Sequence, residues 1–238
     1  MELNQNIKNY WRDIDIHLND LIENGYCYLP PINNLFDNTK YFKFILKDTA
    51  TNTYNENNKI HKNILHDYGF KTILIPKLYQ LAKENFSFEG NIDNQYHIVR
   101  NVNSTQKSES YRGHFDSHIF TMILPMHIPK DEKGNVCGGD LVFFPNLRNK
   151  PVYELINIYQ KIFYKKFNSP EGFRKLSKIN KKITENFSDY RPLIFLGIQT
   201  LHGNLKLEND TRQTLLSHFF DPSPEWGIGS ILRKIRNR

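Results

Sequence analysis

Apolar positions in the first third of the chain recur with a helical period. In "NYWRDIDIHLNDLIENGYCYLP", Trp11, Ile14, Ile16, Leu18, Leu21 and Ile22 recur on a roughly helical period. Asn24-Gly25 is a C-terminal stop, and "YCYLP" reads as a short strand closed by Pro30-Pro31. Two more helical patches follow, "LFDNTKYFKFILKD" and "KTILIPKLYQLAKENF", the second starting at Pro76. Near residue 93 the pattern changes to alternation rich in β-formers. "NQYHIVRNV", "HIFTMILPMHI", "GGDLVFFP", "RPLIFLGIQTLHG" and "QTLLSHFF" read as strands. Gly134, Asn135, Gly138, Gly139, Pro145, Gly203 and Asn204 punctuate them as turn residues. Residues 151–188 return to a helical pattern and read as two helices inserted between strands.

Strand and helix do not alternate, which argues against a parallel doubly wound sheet and for a mostly antiparallel barrel or sandwich. The expected class is mainly β with flanking helices (α+β). The expected organisation is a single domain. Residues 1–92 give mainly helical support, 93–221 a β core carrying the insertion 151–188, and 222–238 a basic tail.

Composition narrows the setting. Of the 238 residues, 39% are hydrophobic and 13% aromatic, enough for a packed core and unlike a disordered chain. No run approaches the roughly 20 apolar residues of a membrane span. The polar start "MELNQNIKNYWRD" lacks the apolar centre of a secretory signal. Cys27 and Cys137 fit no zinc pattern, so a reducing, cytoplasmic setting is expected. The net charge of +7 reads as spread along the chain until "ILRKIRNR", which is read as a solvated helix end.

The segment "ESYRGHFDSHIFTMILPMHIP" concentrates the chemistry. His114 and Asp116 are two apart, and on a strand both side chains would share a face. Such a pair alone is common and usually structural. Far downstream, "IQTLHGN" places His202 at a strand end beside a Gly-Asn turn. Two imidazoles and a carboxylate make the facial triad that holds non-haem Fe(II) and leaves coordination positions open. Arg212 and Thr214 follow, two apart on the next strand. A guanidinium with a hydroxyl beside it is a receptor for a carboxylate.

The pattern His114-Phe115-Asp116, His202, Arg212-Gln213-Thr214 resembles the 2-oxoglutarate/Fe(II)-dependent dioxygenases. Within them, "LIENGYCYLP", "GGDLVFFPN" and "LHGNLKLENDTRQTLL" are similar to the phytanoyl-CoA dioxygenase-like branch, although Pro145-Asn146 departs from its usual Pro-Gly-Ser-His. The resemblance implies a double-stranded β-helix, a jelly-roll or cupin-like barrel. It implies Fe(II) on His114, Asp116 and His202, and 2-oxoglutarate as co-substrate with its far carboxylate on Arg212 and Thr214. O2 is consumed, succinate and CO2 are released, and hydroxylation is the usual outcome. Halogenating relatives replace the carboxylate with a small residue, so Asp116 argues against halogenation. Nucleic-acid demethylases carry a second arginine where His218 stands, which argues against nucleic acid. Protein prolyl hydroxylases usually carry Lys at the place of Arg212.

Candidate substrate contacts are Arg100 and Arg112, as grips on an anionic group or as solvated surface, together with Gln199 and Asn204 flanking His202. His118, four beyond His114, could be a ligand or line the pocket. His97, His127 and His218 read as ordinary hydrogen-bonded histidines. The insertion 151–188 could be decoration or a lid. The expected function is hydroxylation of a small polar metabolite such as a free amino acid. The alternatives are an oxygenase of a protein side chain or nucleic acid, desaturation or cyclisation by the same iron core, and a barrel without metal. The pattern does not specify the substrate or the oligomeric state.

Overall fold

The computed structural model describes residues 5–32, 54–55, 64–66, 68–106, 110–149 and 154–223. Helices α1 (Gln5–Tyr10) and α2 (Ile14–Asn24) lead into strand β1 (Tyr26–Tyr28). Gly25 ends α2 at φ +82°, where its N–H caps the carbonyl of Leu21 at 3.0 Å. A Cβ at Gly25 would stand 2.5 Å from the Asn146 side chain, so both the turn and the close approach require glycine. After β2 (Tyr54–Asn55), a π-helical turn at Phe70–Leu74 runs into α3 (Ile75–Phe86), with Pro76 in its first turn. The helical patch expected at 35–48 lies outside the described residues.

The remaining elements are β3 (Gln95–Asn103), β4 (Phe120–His127), β5 (Leu141–Phe144), α4 (Glu154–Tyr164), α5 (Pro170–Ser177), β6 (Ile183–Glu185), β7 (Leu193–Leu196), β8 (Leu201–Asn204) and β9 (Thr211–Phe219). They form two antiparallel sheets. The larger has the order β1-β7-β4-β9-β3-β2 and the smaller β6-β5-β8. Two expectations need correction. The stretch 191–203 is two strands in different sheets, broken by a turn at 197–199, rather than one. The insertion also does not stay helical to 188, because Ile183–Glu185 pair with β5.

Side-chain alternation gives each sheet two jobs. On one face of the large sheet, Phe120, Met122, Leu124, Ile194, Leu196, Leu215 and Phe219 pack against Leu18 and Leu21 of α2 and Leu78, Ala82 and Phe86 of α3. Each such side chain contributes about 1.5–3 kcal/mol by leaving water. On the other face, Ile123, Leu193 and Phe195 meet Leu141 and Phe143 of the small sheet, with Leu216 beside them. This inner face carries the candidate chemistry. The outer face of the small sheet (Val142, Phe144, Leu201) packs on Phe173 and Leu176 of α5 and on Phe115.

Candidate metal centre

His114 and Asp116 do not lie on a regular strand as expected. His114 makes one isolated bridge with His202, and residues 115–119 run as irregular chain. The segment is nevertheless held at every step. The backbones of His114 and His202 exchange two hydrogen bonds of 3.0 Å. Asp116 N–H donates to Gly197 O at 3.1 Å, Gly197 N–H to Ile119 O at 2.8 Å, and Ile119 N–H to Phe220 O at 2.9 Å. Between the two candidate ligands, Phe115 turns the other way into the cluster under α5.

This backbone brings three ligand groups together. One nitrogen each of His114 and His202 and one oxygen of Asp116 lie within 4.8 Å of one another. His114 Nε2 is 3.7 Å from Asp116 Oδ1, His202 Nε2 is 3.6 Å from Asp116 Oδ2, and the two rings are 4.3 Å apart. Each Nδ1 faces a backbone carbonyl, Arg112 O at 3.0 Å and Thr200 O at 3.2 Å. That contact places the ring proton on Nδ1 and leaves the Nε2 lone pair for a cation. His202 and Asp116 are buried, whereas the outer edge of the His114 side chain is 52% exposed, so the centre opens to solvent on that side.

The electrostatics favour the metal-binding protonation states. Dense protein around its nitrogens, and then His202, push the pKa of His114 down to about 4, against the pull of Asp116. Burial alone would raise the pKa of Asp116. The charges of His202, His218 and His114 and a hydrogen bond from Thr121 outweigh it and hold the carboxyl well below its usual range. A neutral His114 beside an ionised Asp116 is what a divalent ion requires.

Arg212 and Thr214 lie on the inner face of β9 and are buried. Arg212 Nη2 donates to Asn204 Oδ1 at 2.9 Å and Nη1 to the carbonyl of Gly139. Burial, then the charge of Arg100, lowers the Arg212 pKa to about 9, so the guanidinium stays charged at neutral pH. Val102, Ser110, Gly139, Asn204, Leu205, Leu207 and Arg212 line a small cleft.

Arg100 sits on β3 directly across from Thr214, and its charge acts on both Arg212 and His114. Asn204 is no turn residue. Gly203 and Asn204 lie inside β8, paired with Val142 and Leu141, and Asn204 is buried against Arg212. Gln199 lies in the turn before β8, where its amide donates to Arg148 O at 3.3 Å. Arg112 reaches the centre through its carbonyl. His118 lies in a bend rather than on a strand shared with His114, and its ring is 5.3 Å from that of His218.

Three residues carry roles that pattern did not assign. Thr121 Oγ donates to Asp116 Oδ2 at 2.5 Å and contacts His218 Nδ1 at 3.1 Å. His218 Nδ1 is also 3.8 Å from Asp116 Oδ2. The register explains this, because Thr121 and His218 are directly paired on the inner face. Arg148, only 6% exposed, lays its guanidinium 3.9 Å over the Phe115 ring. It donates to Ile198 O at 2.7 Å and to Asn157 and Gln160 of α4 at 2.8 and 2.9 Å. Strand alternation marks Thr121 as inward, but only the fold supplies its partner.

No family model matches the chain, and no curated protein matches it. Solved structures do. A prolyl 4-hydroxylase from Phytophthora capsici aligns with 99% of this chain and 75% of its own, at 10% identity and a TM-score of 0.54. A prolyl hydroxylase from Trichoplax adhaerens, in complex with a hypoxia inducible factor oxygen degradation domain peptide fragment, aligns with 93% of this chain and 94% of its own, at 12% identity and a TM-score of 0.55. With 93–99% of the chain aligned, this chain has the fold of these prolyl hydroxylases.

Proposed function

We propose that the protein is an Fe(II)/2-oxoglutarate-dependent oxygenase that hydroxylates a small polar metabolite. The observation that carries this is the convergence of His114, Asp116 and His202 at one point between the sheets. The donor set suits Fe(II): two imidazole nitrogens freed by their Nδ1 contacts and one ionised carboxylate, with room for other ligands on the His114 side. On this reading the two sheets are the halves of a double-stranded β-helix in one domain covering the chain.

Iron with 2-oxoglutarate supplies an oxidation in which O2 gives one atom to succinate and one to the substrate, with loss of CO2. The chain's own residues bind and orient. His114, Asp116 and His202 hold the ion. Arg212 and Thr214 take the far carboxylate of 2-oxoglutarate, and Asn204 and the Gly139 carbonyl fix the guanidinium for it. Asp116 brings −1, the co-substrate −2 and Arg212 +1 to a +2 ion, which closes near neutrality in a buried site.

A protein side chain is the second reading, favoured by the peptide seen in the Trichoplax relative. The test is succinate release with Fe(II), O2 and 2-oxoglutarate, stimulated by metabolite pools or by proline-containing peptides. Metabolite stimulation that disappears in Asp116→Ala supports the proposal. Stimulation by peptide alone supports the second reading. No iron retained after anaerobic reconstitution defeats both.

A further inference from the structure

Helix α4 is built inside out. Its polar side chains Asn157 and Gln160 turn inward onto Arg148, and Tyr164 turns onto Phe115 with ring centroids 5.1 Å apart. Four of its apolar side chains stand in solvent: Ile156 at 42% exposure, Tyr159 at 67%, Ile162 at 61% and Phe163 at 43%. Spaced three and four apart, they form one stripe. With Ile179, in the turn after α5, five of the six exposed large apolar side chains among the described residues lie in 154–179.

The charge of this stretch is equally one-sided. Residues 154–182 hold eight Lys and Arg against two acidic residues, so six of the chain's net seven positive charges lie here rather than being spread along it. Lys165, Lys166, Arg174, Lys175, Lys178, Lys181 and Lys182 are all exposed. Only one of them, Lys175, has a described ion pair, with Glu171 at 3.0 Å. Lys166 lies 3.5 Å over the Phe163 ring, which joins the cationic and apolar features on one surface.

We propose that α4 and the basic stretch that follows it, residues 165–182, form a docking surface for an anionic lipid bilayer. Exposed isoleucines beside a tyrosine and a phenylalanine suit the boundary of headgroups and acyl chains, and the lysines suit anionic headgroups. A second copy of the chain fits poorly, because two faces of charge +6 would repel. A nucleic acid would use the rings but leaves Ile156, Ile162 and Ile179 without a role. The surface packs beside the metal loop, where a Cβ on Gly113 would meet Phe173 and Asn168 at 3.0–3.1 Å. Attachment would therefore hold the exposed edge of His114 near the bilayer.

The test uses the full chain and needs neither metal nor turnover. The protein is sedimented with phosphatidylcholine vesicles with and without phosphatidylserine. Binding to the anionic vesicles alone, weakened by added salt, is expected. Removing two cations in Lys165→Gln/Lys166→Gln weakens it roughly 25-fold, about fivefold per lysine. Ile162→Ser/Phe163→Ser weakens it while the melting temperature holds, since both side chains are exposed. No binding to anionic vesicles overturns the proposal, as does binding as tight as wild type by both double variants. Retention of an RNA or DNA oligonucleotide without vesicle binding, or a lipid-free dimer lost on Ile162→Ser/Phe163→Ser, also overturns it and assigns the surface elsewhere.

Discussion

Thr121→Val removes one oxygen and keeps the shape of the side chain. Thr121 is 1% exposed, and its hydroxyl is fully used, donating to Asp116 Oδ2 and standing 3.1 Å from His218 Nδ1. If the hydroxyl hydrogen points to the carboxylate, Oγ accepts from His218 Nδ1–H, and the chain of bonds has one direction. Valine leaves both partners short in a buried place. A hydrogen bond to a charged group is worth about 1.5–3 kcal/mol, and outer partners of metal ligands typically cost about 10- to 100-fold in metal affinity when removed. Gly197 shows how tightly this spot is built. A Cβ there would stand 2.5 Å from Thr121 Oγ and 3.0 Å from the Asp116 Cβ.

Anaerobic titration with Fe(II) or Co(II) measures the effect directly, and urea unfolding of the metal-free protein measures the stability loss. Thr121→Val should lower metal affinity about 10- to 100-fold, and Thr121→Ser should recover most of it. The Val variant binding metal as tightly as wild type would refute the reasoning. So would equal loss in Val and Ser, because methyl packing rather than the hydroxyl would then be responsible.

Arg212→Leu should raise the KM for 2-oxoglutarate roughly 10- to 100-fold while metal binding is kept, and Arg212→Lys should lose less; steady-state succinate assays separate the two. Arg148→Met should cost about 1–3 kcal/mol and expose 154–167 to limited proteolysis before the rest of the chain, since Asn157, Gln160 and Ile198 O lose their donor. The metal-free protein should lose stability as pH falls. The protein packed around its nitrogens lowers the pKa of His114 to about 4, and burial lowers that of His218, so the unfolded chain, with histidines near 6.5, takes up protons first. That stability is present above about pH 6.5 and is lost towards about pH 4, which melting temperatures at several pH values will show.

The sequence pattern disclosed what depends on local period and missed what depends on partnership. Two-residue alternation located β3, β4 and β9, and the helix stop at Asn24-Gly25 fell where α2 ends. Three ligand residues, at 114, 116 and 202, were legible because their chemistry is distinctive, and the fold brings them together. The strands expected to carry them are not as drawn, because residues 115–119 are not a strand and 191–203 are not one strand. The turn at 197–199 carries the chain from one sheet to the other, and no apolar period marks it. Asn204 looked like a turn residue because Gly-Asn usually is one, yet cross-strand pairing with Leu141 and the guanidinium of Arg212 keep it in β8. Thr121, Arg148 and His218 are ordinary in sequence and become functional candidates only through neighbours tens of residues away.

An irregular segment can hold a metal carboxylate in place because its backbone is not free. Asp116 lies at the crossing of two systems: main-chain bonds to Gly197 and, through Gly197 and Ile119, to Phe220 just past β9 of the large sheet, and side-chain bonds to Thr121 and thence His218. His114 and His202 are tied to one another by a backbone pair on the small-sheet side. The candidate centre therefore spans the gap between the sheets, and sliding one sheet over the other would pull Asp116 from His202. The clamp of Arg148 opposes such sliding, joining the Phe115 ring, the Ile198 carbonyl and α4 through one buried guanidinium. A load on α4 reaches the middle residue of the His114-Phe115-Asp116 segment through Arg148 and through Tyr164, whose ring packs on Phe115, so contact at the basic, apolar surface of α4 and the geometry of the ligands are mechanically linked. Arg148→Lys, which keeps the charge but cannot span three acceptors and a ring, separates the two contributions.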